Sequence, residues 1–89
     1  MPEYANQEKH FFMSITVKFF ASLREQIGLA ESELDAEQVK TVADAWSQAT
    51  NESVMPENTL MAVNMDYVAA SHPVKSGDEV AFFPPVTGG

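Results

Sequence analysis

Alternating apolar and polar residues mark the first regular element of the chain. Residues 15–21 read Ile-Thr-Val-Lys-Phe-Phe-Ala, a segment rich in β-forming side chains, and the alternation predicts a strand. One face of this strand would be buried and would carry Ile15, Val17, Phe19 and Ala21. The opposite face would carry Thr16, Lys18 and Phe20.

Two later segments have helical spacing. Ser22-Leu23-Arg24-Glu25 has the spacing of a capping box and predicts a short helix that ends at Gly28 in a left-handed conformation. A second capping signal at Thr41 precedes an apolar stripe at i, i+3, i+4 and i+7, formed by Val42, Ala45, Trp46 and Ala49. We expect this second helix to end near Thr50 and its tryptophan to lie in the core.

The remaining apolar segments predict short strands separated by turns. Residues 31–39 are acidic and weakly alternating, which indicates an edge strand, because charged edges discourage pairing with other chains. A loop at 51–58 precedes three further strands, at 60–64, 67–69 and 79–83, with turns at 65–66 and 76–78. In the last strand, Val80 and Phe82 are expected to face inward.

This order of elements predicts the fold class. One main amphipathic helix packed on a mixed sheet of four or five strands is a two-layer α+β arrangement. The first and last strands are the most apolar, so we expect them side by side in the centre of the sheet. These features fit the β-grasp, or ubiquitin-like, fold over residues 14–89. Residues 1–13 are expected to be an extension, either introduced for expression or disordered, and residues 84–89 a flexible tail.

Composition and charge narrow the functional classes. The chain of 89 residues has room for one domain, and without cysteine it forms neither disulfides nor thiolate metal sites. Its net charge of −8 argues against nucleic-acid binding and suits either solubility or a basic partner. No apolar run approaches the roughly 20 residues that span a bilayer, and no signal-peptide pattern is present. We therefore expect no membrane partner and a cytoplasmic location.

The sequence contains no familiar catalytic or metal-binding signature. P-loop, G-x-G-x-x-G, H-E-x-x-H and G-x-S-x-G patterns are absent. His10 lies in the N-terminal extension, and His72 has no obvious carboxylate partner, so neither is expected to act in chemistry. Acidic residues alternate along the weak strand, where a solvated face is a simpler interpretation than a metal site: Glu31, Glu33, Asp35 and Glu37. We expect no bound metal.

The C-terminal segment is the most distinctive part of the chain. Pro84 and Pro85 fix φ and donate no backbone hydrogen bond, so the last strand must stop at Phe83. Two prolines also favour an extended geometry that holds the following residues away from the domain. The residues from Pro84 to the C-terminus reach roughly 20 Å when extended. This predicts a tail that enters a deep, narrow pocket of another protein.

The tip of the tail carries one group suited to chemistry, the α-carboxylate of Gly89. Val86 and Thr87 are modest in size and Gly88 lacks a Cβ, so a partner's backbone can close around them. Once converted to an acyl-adenylate, the carboxylate becomes an electrophile. Attack by a sulfur donor would leave a thiocarboxylate, whereas attack by a lysine would leave an isopeptide bond. A frayed, chemically idle terminus is the remaining alternative.

Two aromatic residues are predicted to lie on the outer face of the sheet, near the start of this tail. Phe20 and Phe83 would both project outward from neighbouring strands. Adjacent aromatic rings on an otherwise acidic surface are typical of a docking patch. The alternative is that the N-terminal segment covers one of them.

Three segments resemble one protein family. They are VKFFASLREQIG at 17–28, LMAVN at 60–64 and GDEVAFFPPVTGG at 77–89. They are similar to the small subunits of molybdopterin synthase, the sulfur carriers of molybdenum cofactor biosynthesis. The Gly-Gly end is shared with the thiazole-pathway sulfur carrier and with ubiquitin-like modifiers, but GDEVAFFPPV is typical of the molybdopterin branch. Residues 30–58 carry no family signature.

The resemblance implies a β-grasp sulfur carrier that is loaded at its C-terminus. An E1-like enzyme would adenylate Gly89 with ATP, and a sulfur-relay protein would supply the sulfur. The thiocarboxylate would then enter the active site of the large subunit, where two sulfurs are added to cyclic pyranopterin monophosphate to form the molybdopterin dithiolene. The complex would be a heterotetramer with a dimer of large subunits at its centre.

The resemblance also implies roles for individual residues. Gly89 would bear the sulfur and Gly88 would permit close approach, with no other catalytic residue and no permanently bound cofactor in this chain. Partner binding would involve Phe20, Arg24, Phe83, Pro84, Pro85, Val86 and Thr87. The alternatives are a ubiquitin-like modifier, a thiazole-pathway sulfur carrier and a non-catalytic interaction module.

Overall fold

The regular elements follow the predicted order along the chain. The computed structural model describes residues 13–85, so the predictions for residues 1–12 and 86–89 lie outside the described part. Five strands form the sheet: β1 (Ser14–Phe19), β2 (Glu31–Asp35), β3 (Leu60–Val63), β4 (Asp66–Tyr67) and β5 (Glu79–Phe83). The helices are α1 (Ala21–Ile27) and α2 (Val42–Thr50), with a 3-10 turn at Ala36–Gln38.

The five strands form one mixed sheet in the order β2-β1-β5-β3-β4. The two central strands β1 and β5 run parallel, and every other pairing is antiparallel. The central position of the first and last strands and the edge position of β2 are confirmed. Helix α2 packs on one face, which gives the predicted two-layer α+β architecture. Neither helix in residues 13–85 is long and apolar enough to cross a membrane.

The core forms where α2 crosses the two central strands. The parallel register aligns Phe19 with Phe82, and their rings stack 5.7 Å apart at an angle of 20°. Trp46 packs edge-on against both rings, with centroid distances of 5.7 and 5.0 Å. Its buried indole N–H donates to the carbonyl oxygen of Ser53 at 2.7 Å, which satisfies the one polar group of this side chain. The prediction that Trp46 lies in the core is confirmed.

Helix α2 begins at the predicted capping signal, which the structure shows to be a capping box. The hydroxyl of Thr41 accepts a hydrogen bond from the backbone N–H of Asp44, and the Asp44 carboxylate accepts one from the backbone N–H of Thr41. These two bonds satisfy helix-terminal donors that have no partner within the helix. The apolar stripe then faces the sheet, and Val42 and Ala45 are fully buried.

The start of α1 differs from the prediction. Ala21, expected inward at the end of β1, is exposed and begins the helix with a φ of 54°. The chain therefore leaves the sheet after Phe20, which brings Leu23 into the core. Ser22 consequently lies inside the first turn, and Phe20 caps the helix without a side-chain hydrogen bond, so the predicted capping box is wrong. The helix end at Gly28 is confirmed, with a φ of 86°.

Two strand boundaries also differ from the prediction. Strand β2 stops at Asp35 instead of continuing to residue 39, because the Asp35 carboxylate accepts a hydrogen bond from the N–H of Glu37 and closes a turn. The β3–β4 turn consists of Asn64 and Met65, one residue earlier than expected, and β4 covers 66–67 instead of 67–69. The side-chain amide of Asn64 bonds to the start of β5 and thereby holds the turn in this register.

Candidate functional site

The end of β5 determines where the C-terminal segment leaves the domain. Phe83 is the last residue of the strand and pairs with Leu60 of β3. Pro84 has no N–H to donate, so the ladder ends there. Pro84 is half-buried and Pro85 is exposed. The predicted stop at Phe83 is confirmed, and the chain departs from a central strand of the sheet.

Phe20 and Phe83 lie side by side on the outer face of the sheet. Their rings stack with a centroid distance of 4.8 Å and an interplanar angle of 7°. Consecutive strand residues point to opposite faces, so the alignment of Phe19 with Phe82 inside the core places the next residue of each strand outside. Phe20 is 37% exposed and Phe83 is half-buried. The predicted outward orientation is correct for both residues.

A third aromatic residue that the sequence analysis missed completes the cluster. Tyr67 of β4 packs edge-on against Phe83 with a centroid distance of 6.3 Å and is 71% exposed. We call Phe20, Tyr67 and Phe83 the aromatic patch. Tyr67 pairs with Ala62, an outward residue of β3, and therefore lies on the outer face. The alternation of inward and outward residues along the hairpin would predict this orientation, but only if the turn is placed at the correct residues.

Beside the aromatic patch lies an open groove of about 400 Å³. Ala62 and Ala81 pair across β3 and β5 and form its floor, and both are almost fully buried although they lie on the outer face. The aromatic rings form part of the wall, together with Met65 and Glu79. Small residues flanked by large apolar ones create a concave apolar surface, a typical feature of a binding site.

The rest of the outer face is acidic. Glu31 and Glu33 of edge strand β2 are exposed and pair in register with outward residues of β1. In the described part of the chain, Lys18 is the one basic residue that lies in a strand. Its ammonium lies 3.8 Å from the carboxylate of Glu79. Exposed ion pairs of this kind contribute little to stability. The aromatic patch therefore borders a surface of negative charge.

The other candidate residues do not line the groove beside the aromatic patch. Within residues 13–85 no three histidine or acidic side chains are grouped as a metal site would require, and Glu31, Glu33 and Glu37 lie exposed. His72 is exposed, and its backbone carbonyl accepts a hydrogen bond from Val42. Arg24 is exposed on α1, one helical turn beyond the aromatic patch. Its role in partner binding stays a prediction.

A buried carboxylate fixes the opposite end of β5. Asp78 is 5% exposed and accepts hydrogen bonds from the Asn64 amide at 2.9 Å and from the Lys75 N–H at 2.9 Å. Burial alone would raise the pKa of Asp78, but the hydrogen bonds from Asn64 and Lys75, together with the charge of Lys75, hold it below its usual value. The carboxylate locks the turn before β5 to the hairpin that carries Tyr67.

The fold and this surface together define a ubiquitin-like β-grasp protein whose chain leaves the sheet through Pro84 and Pro85, beside an outward aromatic patch. Four predicted partner-binding residues lie on or next to this surface: Phe20, Phe83, Pro84 and Pro85. The other predicted tail residues, Val86, Thr87, Gly88 and Gly89, lie outside the described part of the chain.

Comparison with known proteins gives the family. The model of the ThiS family matches residues 17–89, and the chain belongs to this family. It is 39% identical over 84 residues to the molybdopterin synthase sulfur carrier subunit of Escherichia coli. The alignment covers 84% of this chain and 99% of that protein. The resemblance noted in the sequence is confirmed.

Solved structures confirm the β-grasp fold. The small archaeal modifier protein 1 of H. volcanii superposes with a TM-score of 0.67 at 26% identity, covering 83% of this chain and 99% of that one. A complex of subunits 1 and 2 of the molybdopterin-converting factor from Helicobacter pylori contains a chain that matches with a TM-score of 0.58 at 22% identity, covering 86% of this chain and 100% of that one.

Proposed function

We propose that this chain is the sulfur-carrier small subunit of a molybdopterin synthase and that its sulfur is carried as a thiocarboxylate on Gly89. The observation that carries the proposal is the exit of the chain from β5, where Phe83 and the two prolines that follow it leave the sheet beside the aromatic patch. The identity of 39% with a sulfur carrier subunit supports the same function. Because the chain has no cysteine, it cannot carry the sulfur as a cysteine persulfide, whereas the α-carboxylate can accept it as a thiocarboxylate.

The proposed loading reaction occurs at the α-carboxylate of Gly89. An E1-like enzyme transfers AMP from ATP to the carboxylate and releases pyrophosphate, which makes the carbonyl carbon electrophilic. A persulfide on a relay protein attacks the carbonyl carbon and displaces AMP, which forms an acyl disulfide. A second thiol then attacks the donor's sulfur and breaks the S–S bond, which leaves the thiocarboxylate on Gly89 and a disulfide on the donor side. Gly88 allows both enzymes to approach the reacting carbon because it has no Cβ. ATP is consumed by the activating enzyme, and the carrier itself keeps no cofactor. Because the loading needs ATP, we also propose a cytoplasmic location.

The proposed delivery reaction takes place in the large subunit. The aromatic patch docks on that subunit, and residues 84–89 extend into its active site. Each thiocarboxylate gives one sulfur to cyclic pyranopterin monophosphate and returns to a carboxylate, so two carriers supply one dithiolene. The H. pylori neighbour was solved as a complex of two such subunits, which supports a large-subunit partner here. We propose that the working complex is a heterotetramer with two carriers and a central dimer of large subunits.

Reconstitution tests this function directly. The purified chain is incubated with its E1-like enzyme, ATP and a sulfur source, and mass spectrometry of the intact protein follows replacement of one oxygen by sulfur at Gly89. The loaded carrier should then convert cyclic pyranopterin monophosphate to molybdopterin when the large subunit is added. A chain without Gly88 and Gly89 is the matched control. Failure of loading with an activating enzyme that works on another carrier would refute the proposal.

A second candidate function is conjugation to lysines of target proteins. The specific observation in its favour is the similarity to the small archaeal modifier protein 1 of H. volcanii. This function predicts Gly89 in isopeptide bonds, which a proteomic search of cell extract for remnants of the tail on lysines would detect. If sulfur is transferred to the pterin substrate and the same cells contain no conjugates, the chain is a sulfur carrier and not a protein modifier.

A further inference from the structure

Met65 adopts a backbone conformation that its side chain disfavours. The β3–β4 hairpin turns on two residues, Asn64 and Met65, with φ values of 50° and 74°. Two-residue hairpin turns with positive φ at both positions strongly favour Asn followed by Gly, because a Cβ is disfavoured in the left-handed region. Asn64 fits this preference, and Met65 does not. The turn itself therefore gives no reason for a methionine.

The side chain of Met65 contributes almost nothing to the core. It is 91% exposed, so truncating it would remove very little buried apolar surface. It nevertheless forms a wall of the groove on the outer face, next to Tyr67 and Phe83. Strained backbone positions are maintained chiefly where they serve function, and a large exposed apolar side chain beside a concave apolar surface is suited to binding.

A second exposed apolar residue provides a comparison. Val54 is 89% exposed, but it lies in the loop at 51–58, without a positive φ and without a place in the groove. Exposure alone is normal for single apolar side chains. Met65 differs from Val54 because strain, exposure and a position on the groove coincide in one residue.

We propose that Met65 is a contact residue for the protein that receives the C-terminal tail. In this complex an apolar side chain of the partner occupies the groove above Ala62 and Ala81, and the flexible thioether of Met65 closes over it. Methionine suits this role because its unbranched side chain adapts to irregular apolar surfaces. The inference rests on the proposed function, since it assigns Met65 to the docking surface of the molybdopterin synthase large subunit.

The charges around the groove define the chemistry of the occupant. Glu79 lines the groove, Asp66 is exposed next to Met65, and Glu31 and Glu33 extend the negative surface along the same face. Lys18 is held by Glu79 and offsets only part of this charge. A complementary partner therefore presents an aliphatic or aromatic side chain surrounded by lysines or arginines, since charge patterns across interfaces are complementary.

The test combines binding and stability measurements on the full chain. Titration calorimetry against the purified large subunit gives the Kd, and thermal unfolding gives Tm. Met65→Gly should leave Tm unchanged or raise it by up to about 5 °C, because glycine accepts the positive φ. It should weaken binding by about tenfold or more, the loss expected for one apolar side chain that is buried on association. Met65→Leu keeps the apolar volume and should retain most of the affinity.

Controls separate this inference from the proposed function. Val54→Gly removes an equally exposed apolar side chain away from the groove and should leave the Kd unchanged. If Met65→Gly binds like wild type while Phe83→Asp loses binding, the inference about Met65 is overturned and the proposed docking surface stands. Wild-type binding by both variants would overturn both. A weaker Met65→Gly complex together with a lower Tm would show that Met65 acts through folding, which also overturns the inference.

Discussion

Phe82 and Phe83 are neighbours in β5, yet truncation should affect different properties of the protein. Phe82 is fully buried against Phe19 and Trp46. Phe83 is half-buried on the opposite face, where it stacks on Phe20. We expect Phe82→Ala to lower the free energy of unfolding, and Phe83→Ala to lower mainly the affinity for the large subunit.

The magnitudes follow from the burial of each ring. Truncating a fully buried phenylalanine typically costs about 3–5 kcal/mol, because a transfer term and a cavity term add. A domain of 89 residues has a free energy of unfolding of roughly 4–13 kcal/mol, so Phe82→Ala would remove a large share of it. Phe83→Ala loses two aromatic contacts on the solvent-facing side of the sheet, with Phe20 and with Tyr67, each worth about 0.5–1.5 kcal/mol at most. Burial of the exposed part of the Phe83 ring in the complex should contribute about 1–2 kcal/mol to the free energy of binding. Phe83→Ala should therefore raise the Kd about 5–30-fold.

Two assays measure the two effects independently. Trp46 is the single tryptophan of the chain and is buried between the core rings, so its fluorescence reports unfolding in urea. Calorimetric titration of the large subunit gives the Kd of each variant. If Phe82→Ala does not fold, Phe82→Leu makes the same measurement with a smaller cavity. The expected result is a large loss of stability for Phe82 variants and a large loss of affinity for Phe83→Ala.

Two outcomes would refute this reasoning. Equal losses of stability for Phe82→Ala and Phe83→Ala would mean that both rings lie in the core and that the β1–β5 register is wrong. Wild-type affinity of Phe83→Ala, with the protein correctly folded, would mean that the outer face does not contact the large subunit.

Three further predictions concern other parts of the chain. Adding one residue after Gly89 should abolish sulfur loading, seen by mass spectrometry, without changing the circular dichroism spectrum, because the reactive carbonyl is no longer terminal; full activity of the untrimmed variant would refute the mechanism. Because the pKa of Asp78 is lowered on folding, its carboxylate stabilises the fold above the unfolded value of about 3.9, and this contribution is lost as pH falls through the folded value. Between about pH 5 and pH 2, the free energy of unfolding in urea should therefore fall more for the wild type than for Asp78→Asn. The same pH dependence in both proteins would contradict this prediction. Thr41→Ala should lower the free energy of unfolding by about 1 kcal/mol, and an unchanged urea midpoint would show that the capping box contributes nothing.

Local patterns were sufficient where the controlling contacts are close in sequence. The Thr41 capping box involves residues three positions apart, and the stop after Phe83 follows from the missing N–H of Pro84. The bounds of β5 and α2 were therefore predictable. The inward residues of β1 were also predictable up to Phe19, because alternation alone assigns the faces of a strand once its ends are known.

The remaining errors arose where distant residues control the local structure. The hairpin turns at Asn64 because its amide bonds to Asp78, fourteen residues further on, and to the N–H of Glu79. No pattern within the hairpin shows this contact, so the sequence alone predicts the turn one residue too late and does not assign Tyr67 to the aromatic patch. Likewise, Ala21 continues the alternation of β1, but the chain leaves the sheet there so that Leu23 reaches the core.

The parallel pairing of β1 with β5 links the core to the candidate site. Parallel strands end on the same side of a sheet, so the residues that follow β1 and β5 emerge next to each other. The N–H of Phe20 still donates to the carbonyl of Phe82 at 3.1 Å, which extends the ladder to the last position before the chains separate. The contact that stacks Phe19 on Phe82 inside therefore also fixes Phe20 against Phe83 outside, beside Pro84. A register shift of one residue would exchange the buried and exposed rings, so the register that builds the core also builds the aromatic surface next to Pro84.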